Sequence, residues 1–160
     1  CYTFYLRFNI GNGSTFSGTV TSYGSASEAV TVTLTKQGVT TPAFTDTLTG
    51  NSVDYSFETV PAGTYTLKVE KKGHAPWTEE ITVDGSAVTK DVTVYLWGDV
   101  NRDGKVNGTD ALWVRQSSAG GRTLDAYQKV LADLNRDGKV NGTDALWIRQ
   151  ISAGSRVLNY

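Results

Sequence analysis

Asp99–Gly120 reads DVNRDGKVNGTDALWVRQSSAG, and Asp133–Gly154 reads DLNRDGKVNGTDALWIRQISAG. The two stretches agree at 19 of 22 positions at an offset of 34 residues, differing only at Val100/Leu134, Val114/Ile148 and Ser117/Ile151. Self-similarity of this kind means one structural unit made twice. Each copy opens with oxygen-bearing side chains at alternate positions and closes with apolar residues at helical spacing, so each reads as a loop followed by a helix.

The loop chemistry is that of a hard cation. Calcium takes about six to eight oxygens, and a tightly coiled loop turns every second side chain inward to supply them. The alternate donors are Asp99, Asn101, Asp103 and Asn107 in the first copy and Asp133, Asn135, Asp137 and Asn141 in the second. Gly104 and Gly138 stand where the loop must bend sharply, and a Cβ there would obstruct it. Lys105 and Lys139 offer only a backbone carbonyl, while Val106 and Val140 are expected to tie the two loops together through the core. Asp110 and Asp144 occupy the twelfth position, where an EF-hand carries Glu, so the loop must close more tightly around its ion. Three aspartates per loop repel one another without metal, which couples folding to calcium. Zinc is disfavoured because no Cys or His lies nearby, and magnesium because the cage offers too many protein oxygens.

Outward from the repeats, the first 95 or so residues are rich in Thr, Val, Tyr and Gly. The composition shift divides the chain into residues 1–96 and 97–160. With 15 basic and 16 acidic side chains in 160 residues, no broad field exists to hold nucleic acid, and no apolar run is long enough to span a membrane. The single cysteine, Cys1, forms no internal disulfide. The start at Cys1 without Met reads as the C-terminal piece of a longer polypeptide.

A loop of the form D-x-N-x-D-G-x-V-N-x-x-D followed by one helix, and repeated, resembles the type I dockerins of cellulosomal proteins. The resemblance covers residues 97–160 and implies two calcium ions. The first would be held by Asp99, Asn101, Asp103, the Lys105 carbonyl, Asn107 through water and Asp110. The second would be held by Asp133, Asn135, Asp137, Lys139, Asn141 and Asp144. It implies as partner a cohesin on a scaffoldin or cell-surface anchoring protein outside the cell, with the free chain monomeric. The contact positions carried over are Gly108, Thr109, Trp113, Arg115 and Gln116, with Gly142, Thr143, Trp147, Arg149 and Gln150. Gly108 and Gly142 depart from the Ser of better-known dockerins, which bears on cohesin choice.

Along the first helix Ala111, Val114 and Ser118 are expected to form a core stripe, matched by Ala145, Ile148 and Ser152. Trp113 and Trp147 fall about 100° away, a position open to core or interface; the Arg beside each favours interface. Thr123 is expected to cap a short helix whose Leu124, Tyr127, Val130 and Leu131 share one face. The apolar end, Val157 to Tyr160, either folds back on Trp97 or frays.

The N-terminal part reads as strands. Residues 2–10 alternate cleanly, and further strand patterns fall at 15–21, 30–36, 44–48, 53–58, 65–70, 77–83 and 88–96. An all-β antiparallel sandwich followed by a small all-α unit is the fold expected. YSFETVPAGTYTLKVEKKG, Tyr55 to Gly73, resembles the transthyretin-like or carboxypeptidase regulatory-like sandwich, which implies an accessory X module. In it Pro61-Ala62-Gly63 turns the chain and Tyr65, Leu67 and Val69 enter the core.

Catalysis finds no support. His74, the sole histidine, reads as a solvated turn residue, and adjacent Glu79 and Glu80 point to opposite faces of a strand. The competing function is carbohydrate binding by the sandwich, with Tyr5, Tyr23, Trp77 or Tyr95 as a stacking platform.

Overall fold

The computed structural model describes residues 13–159; the strand expected at residues 2–10, with Tyr5, lies outside them. Strand β1 (Ser14–Thr21) pairs antiparallel with β4 (Ser52–Val60) and parallel with the short β7 (Val88–Thr89) and β8 (Val92–Thr93). A second sheet runs in the order β3 (Phe44–Thr49), β2 (Ala29–Lys36), β5 (Gly63–Lys71), β6 (Trp77–Val83), antiparallel throughout. The expected long strand at 88–96 is therefore two short ones beside β1. Asp91 lies between them and accepts a hydrogen bond from the Thr19 amide, at 2.9 Å.

Alternation carries one side of every strand into the space between the sheets. Val30, Val32 and Leu34 from β2 meet Tyr65, Leu67 and Val69 from β5, with Phe16, Val20, Tyr55 and Phe57 opposite, all buried. The same alternation sends Lys71 inward at the end of β5, where its side chain is 5% exposed. Its ammonium donates to Ser22 Oγ (2.9 Å), Gly50 O (3.0 Å) and Asn51 Oδ1 (2.7 Å), so all three protons are used. Burial lowers its pKa from 10.5, partly opposed by Glu28.

Three helices follow: α1 (Gly108–Ser118), α2 (Ala126–Ala132) and α3 (Gly142–Ser152). They enclose a second core of Val100, Ala111, Val114, Leu124, Leu131, Leu134, Ala145 and Ile148. Ala75, from the turn after β5, and Trp97 are buried in that same core. Backbone bonds stitch the two parts together: Ala75 N to Tyr95 O, Trp97 N to Gly73 O, and Gly98 N to Leu131 O, at 3.0 to 3.1 Å. Tyr127 of α2 donates to Ala75 O at 2.8 Å.

His74 is the centre of this seam and not a solvated turn residue, being 5% exposed. Its ring nitrogens lie 3.0 Å from Lys72 O and 2.8 Å from Tyr23 O, and its backbone forms a bridge with Leu96. Burial holds the imidazole below its ordinary 6.5, and Lys71 nearby pushes the same way. Because the unfolded chain takes up that proton first, His74 costs no stability at neutral pH and costs progressively more as pH falls through about 6.5. Urea midpoints measured at about pH 7.5 and 5.5 should therefore fall more steeply on acidification for the native chain than for His74→Gln. Equal slopes would show that the ring does not titrate with folding.

Candidate metal loops and docking face

Each loop is coiled by its own acceptors. Asp99 accepts from the amides of Asp103 (3.1 Å) and Gly104 (2.9 Å), Asn101 Oδ1 from Asp103 (3.0 Å), and Asp103 from Lys105 (2.9 Å). Asp133, Asn135 and Asp137 repeat the pattern at 2.9 to 3.1 Å. Left-handed backbone is required at Gly104 (φ 85°) and Gly138 (φ 79°), and Arg102 and Arg136 also adopt it, at 63° and 57°. Asn107 then caps α1 and Asn141 caps α3, each accepting from the Thr amide two residues on. Asp110 reaches back from the third helical position to the amides of Asn107 (2.8 Å) and Asn101 (3.0 Å). Asp144 does the same to Asn141 (2.9 Å) and Leu134 (3.0 Å). The short aspartate arm thus serves as half of a capping box, which joins helix start and loop closure.

Asp99, Asp110 and Asp144 are fully buried. Burial pushes the Asp99 carboxyl up to about 6, with the Asp110 and Asp103 charges adding to it. Burial raises Asp110 and Asp144 as well. Carboxylates withdrawn from water and crowded by one another favour a divalent cation as counter-charge. Among the described residues no three Asp, Glu, His or Cys side chains close on one point as a preformed metal cluster. The donor set is of another kind: carboxylates interleaved with Asn amide oxygens and backbone carbonyls, all hard oxygens, which fits calcium.

Beyond the loops, Gly108, Thr109 and Arg115 of α1 and Gly142, Thr143 and Arg149 of α3 are exposed. Between them stand two residues the sequence reading passed over, Leu112 at 50% and Leu146 at 53% exposure. Arg149 lines the same surface depression as Gly108, Leu112 and Arg115, so the outer faces of the two helices adjoin. Exposure of a large apolar side chain at matched repeat positions was the missing signal; on one helix alone it reads as scatter.

Trp113 and Trp147 are half-buried, and each has a guanidinium over its ring: Arg122 at 3.8 Å and Arg156 at 3.9 Å. Each Arg is held in turn by Gln116 (3.0 Å) or Gln150 (2.7 Å). The Trp and Gln residues are thereby tied into internal clasps. Ser118 and Ser152 are exposed, not core; the stripe ends at Val114 and Ile148, with Ser117 and Ile151 half-buried beside it. Asp125, not Thr123, caps α2, in a capping box with Gln128, and Val130 is 40% exposed. In the tail Leu158 packs on the second core while Val157 stays exposed.

The stacking platform expected for sugars is in use elsewhere. Tyr23 stacks on Tyr95 at 5.3 Å and Tyr95 meets Tyr127 at 6.4 Å, while Trp77 lies under Lys90 at 5.4 Å.

Residues 15–96 match the carboxypeptidase regulatory-like domain, and residues 97–151 match the dockerin type I domain. The chain belongs to the carboxypeptidase regulatory-like family, and a dockerin type I domain follows at residues 97–151. Its fold is similar to that of an N-terminal interface mutant of a type II cohesin-X-dockerin complex from Acetivibrio cellulolyticus. Identity there is 23%, covering 85% of this chain and 93% of that one, with a TM-score of 0.40. A C-terminal interface mutant of that complex matches at 25% identity, the same coverage and a TM-score of 0.35. A putative carbohydrate binding protein from Bacteroides uniformis matches at 17% identity over 54% of this chain and 43% of that one, with a TM-score of 0.37. Likeness this loose carries no functional argument. No curated protein matches.

The dockerin's clasps are testable. Arg122→Ala and Arg156→Ala should each cost about 1 kcal/mol, the worth of a partly desolvated cation–π contact. Each should also red-shift tryptophan emission, and an unshifted spectrum in both variants would show that the guanidinium groups do not cover the rings.

Proposed function

We propose that this chain is a calcium-dependent docking module that binds a cohesin and thereby attaches its parent polypeptide to an extracellular, cellulosome-type assembly. The observation that carries the reading is the dockerin match falling on two loop-helix repeats with buried carboxylates, none of them in an ion pair with a Lys or Arg among the described residues. Two calcium ions, one per loop, would be held by Asp99, Asn101, Asp103, the Lys105 carbonyl, Asn107 and Asp110, and by their counterparts from Asp133 to Asp144. Bound calcium supplies the positive charge that lets each loop stay closed. The capping boxes then fix the start of α1 and α3, and with it the exposed row of Gly108, Thr109, Leu112 and Arg115 beside Gly142, Thr143, Leu146 and Arg149. An apolar side chain flanked by Arg is a favourable centre for an interface. The unit lies at residues 97–160, with residues 1–96 as a stabilising accessory domain.

The repeats differ little, so rotation by about 180° presents nearly the same surface. Calorimetry against a cohesin panel should show binding with calcium and none with a chelator. Leu112→Asp or Leu146→Asp alone should weaken binding by less than about tenfold, and both together by more than about 100-fold. Full loss from Leu112→Asp alone would refute the two-orientation reading. Binding that survives exhaustive chelation would refute calcium dependence.

A further inference from the structure

The two calcium loops share their ligands and nearly all of their sequence, yet they stand in different surroundings. At the first loop Tyr23, two residues past the end of β1, lies against the sharp bend: a Cβ added at Gly104 would meet the Tyr23 ring at 2.6 Å. Behind Tyr23 the ring of Tyr95 is stacked at 5.3 Å, and behind that stands Tyr127 of α2. Arg102, the fourth loop residue, lies over both Tyr95 (5.9 Å) and Tyr127 (5.5 Å). Its guanidinium forms a two-pronged ion pair with Asp125, at 2.6 and 2.8 Å. The first loop is thus wedged between sandwich and helix.

At the second loop no described residue lies within 4 Å of a Cβ added at Gly138. Gly138, Arg136 and Asp137 are exposed, and Arg136 is directed over Trp97. A cavity of about 580 Å³ opens beside Arg136, and another of about 400 Å³ beside Asp133 and Gly138. Asp99 is fully buried where its counterpart Asp133 is partly exposed.

We infer that the sandwich makes the two calcium sites unequal: Tyr23 acts as a positioning residue that holds the first loop closed, so the first site binds calcium more tightly and releases it last. Two physical terms act in the same direction. A loop already held in its bound shape loses less conformational freedom on binding. A cation beside carboxylates shielded from water is attracted through a less screened field. Because the ligands are the same type at every position, neither term is offset by donor chemistry. The inference rests on the calcium reading above and adds to it an order of filling and a role for the N-terminal domain that reaches into the metal site.

The test is calcium titration of the full chain followed by the amide resonances of Gly104 and Gly138, one in each loop. The Gly104 signal should respond at about tenfold lower free calcium than Gly138, and should be the last to revert against a competing chelator. Tyr23→Ser should bring the first midpoint towards the second and leave the second in place, while Tyr23→Phe, which keeps the ring, should retain the difference. Should Tyr23→Ser not fold, Arg102→Gln removes the ion pair and ring contact from the loop side and should narrow the gap in the same way. Coincident midpoints in the native chain, or a gap unmoved by both Tyr23→Ser and Arg102→Gln, would overturn the inequality while leaving calcium binding intact. No response at either glycine would overturn the calcium reading itself.

Discussion

Three carboxylates withdrawn from water govern the C-terminal half of this molecule. Asp99, Asp110 and Asp144 have no exposed surface, and among the described residues no Lys or Arg forms an ion pair with any of them. Backbone amides bear part of the load, two for Asp99 and two for Asp110, but amides carry no net charge. A buried carboxylate served only by dipoles is costly unless it is neutralised or met by a cation. The loops, the caps of α1 and α3, and the exposed row beyond those caps all follow from how that charge is met. Structure and proposed recognition are therefore one problem here, since the carboxylates proposed to receive the ion also complete the capping boxes that set the first turn of α1 and α3.

The sandwich contributes something else, a rigid wall. Its core is closed by ordinary alternation, and its unusual feature is the polar knot at one end, where Lys71 gathers Ser22, Gly50 and Asn51. That knot fixes the chain just before Tyr23 and just before the His74 turn, the two segments that touch the helical part. Through Ala75, Trp97 and Gly98 the main chain passes into the second core with its hydrogen bonds satisfied across the seam. Buried backbone bonds of this sort are hard to break singly, which argues for two domains that move as one piece rather than as beads on a linker.

What the sequence made legible follows from which interactions are local. The coiling of the loops, the left-handed glycines and the alternating strands are set by residues a few positions apart, so spacing alone reveals them. The Pro61-Ala62-Gly63 hairpin and the inward Tyr65, Leu67 and Val69 were visible for the same reason. The junction was not. His74 is 51 residues from Tyr23 and Tyr127 is 52 from Ala75, and no local pattern announces such pairings. Lys71 sits on the inward parity of β5, yet its charge argues for the surface until three distant acceptors are seen. The partners of Trp113 and Trp147 were hidden for a related reason: the guanidinium that covers each ring comes from beyond the helix end and not from the Arg beside it. Ser118 failed as a core residue because the helix stops there, so no second turn remains to bury it.

Near-identity in sequence therefore does not give the two repeats the same surroundings. A repeat that arose by copying keeps its ligand chemistry in both places, but it has one neighbour on each side, and those neighbours differ. The bend of the first loop meets Tyr23 of the sandwich and, through Arg102, the N-terminus of α2; among the described residues none lies against the bend of the second at Gly138. The exposed residues of α1 and α3 still match position for position. The sandwich breaks the symmetry behind the helices and leaves the face in front of them alone. Should calcium fill the loops as proposed, the support would distinguish two sites without any difference among the matched exposed residues Gly108, Thr109, Leu112 and Arg115 and Gly142, Thr143, Leu146 and Arg149.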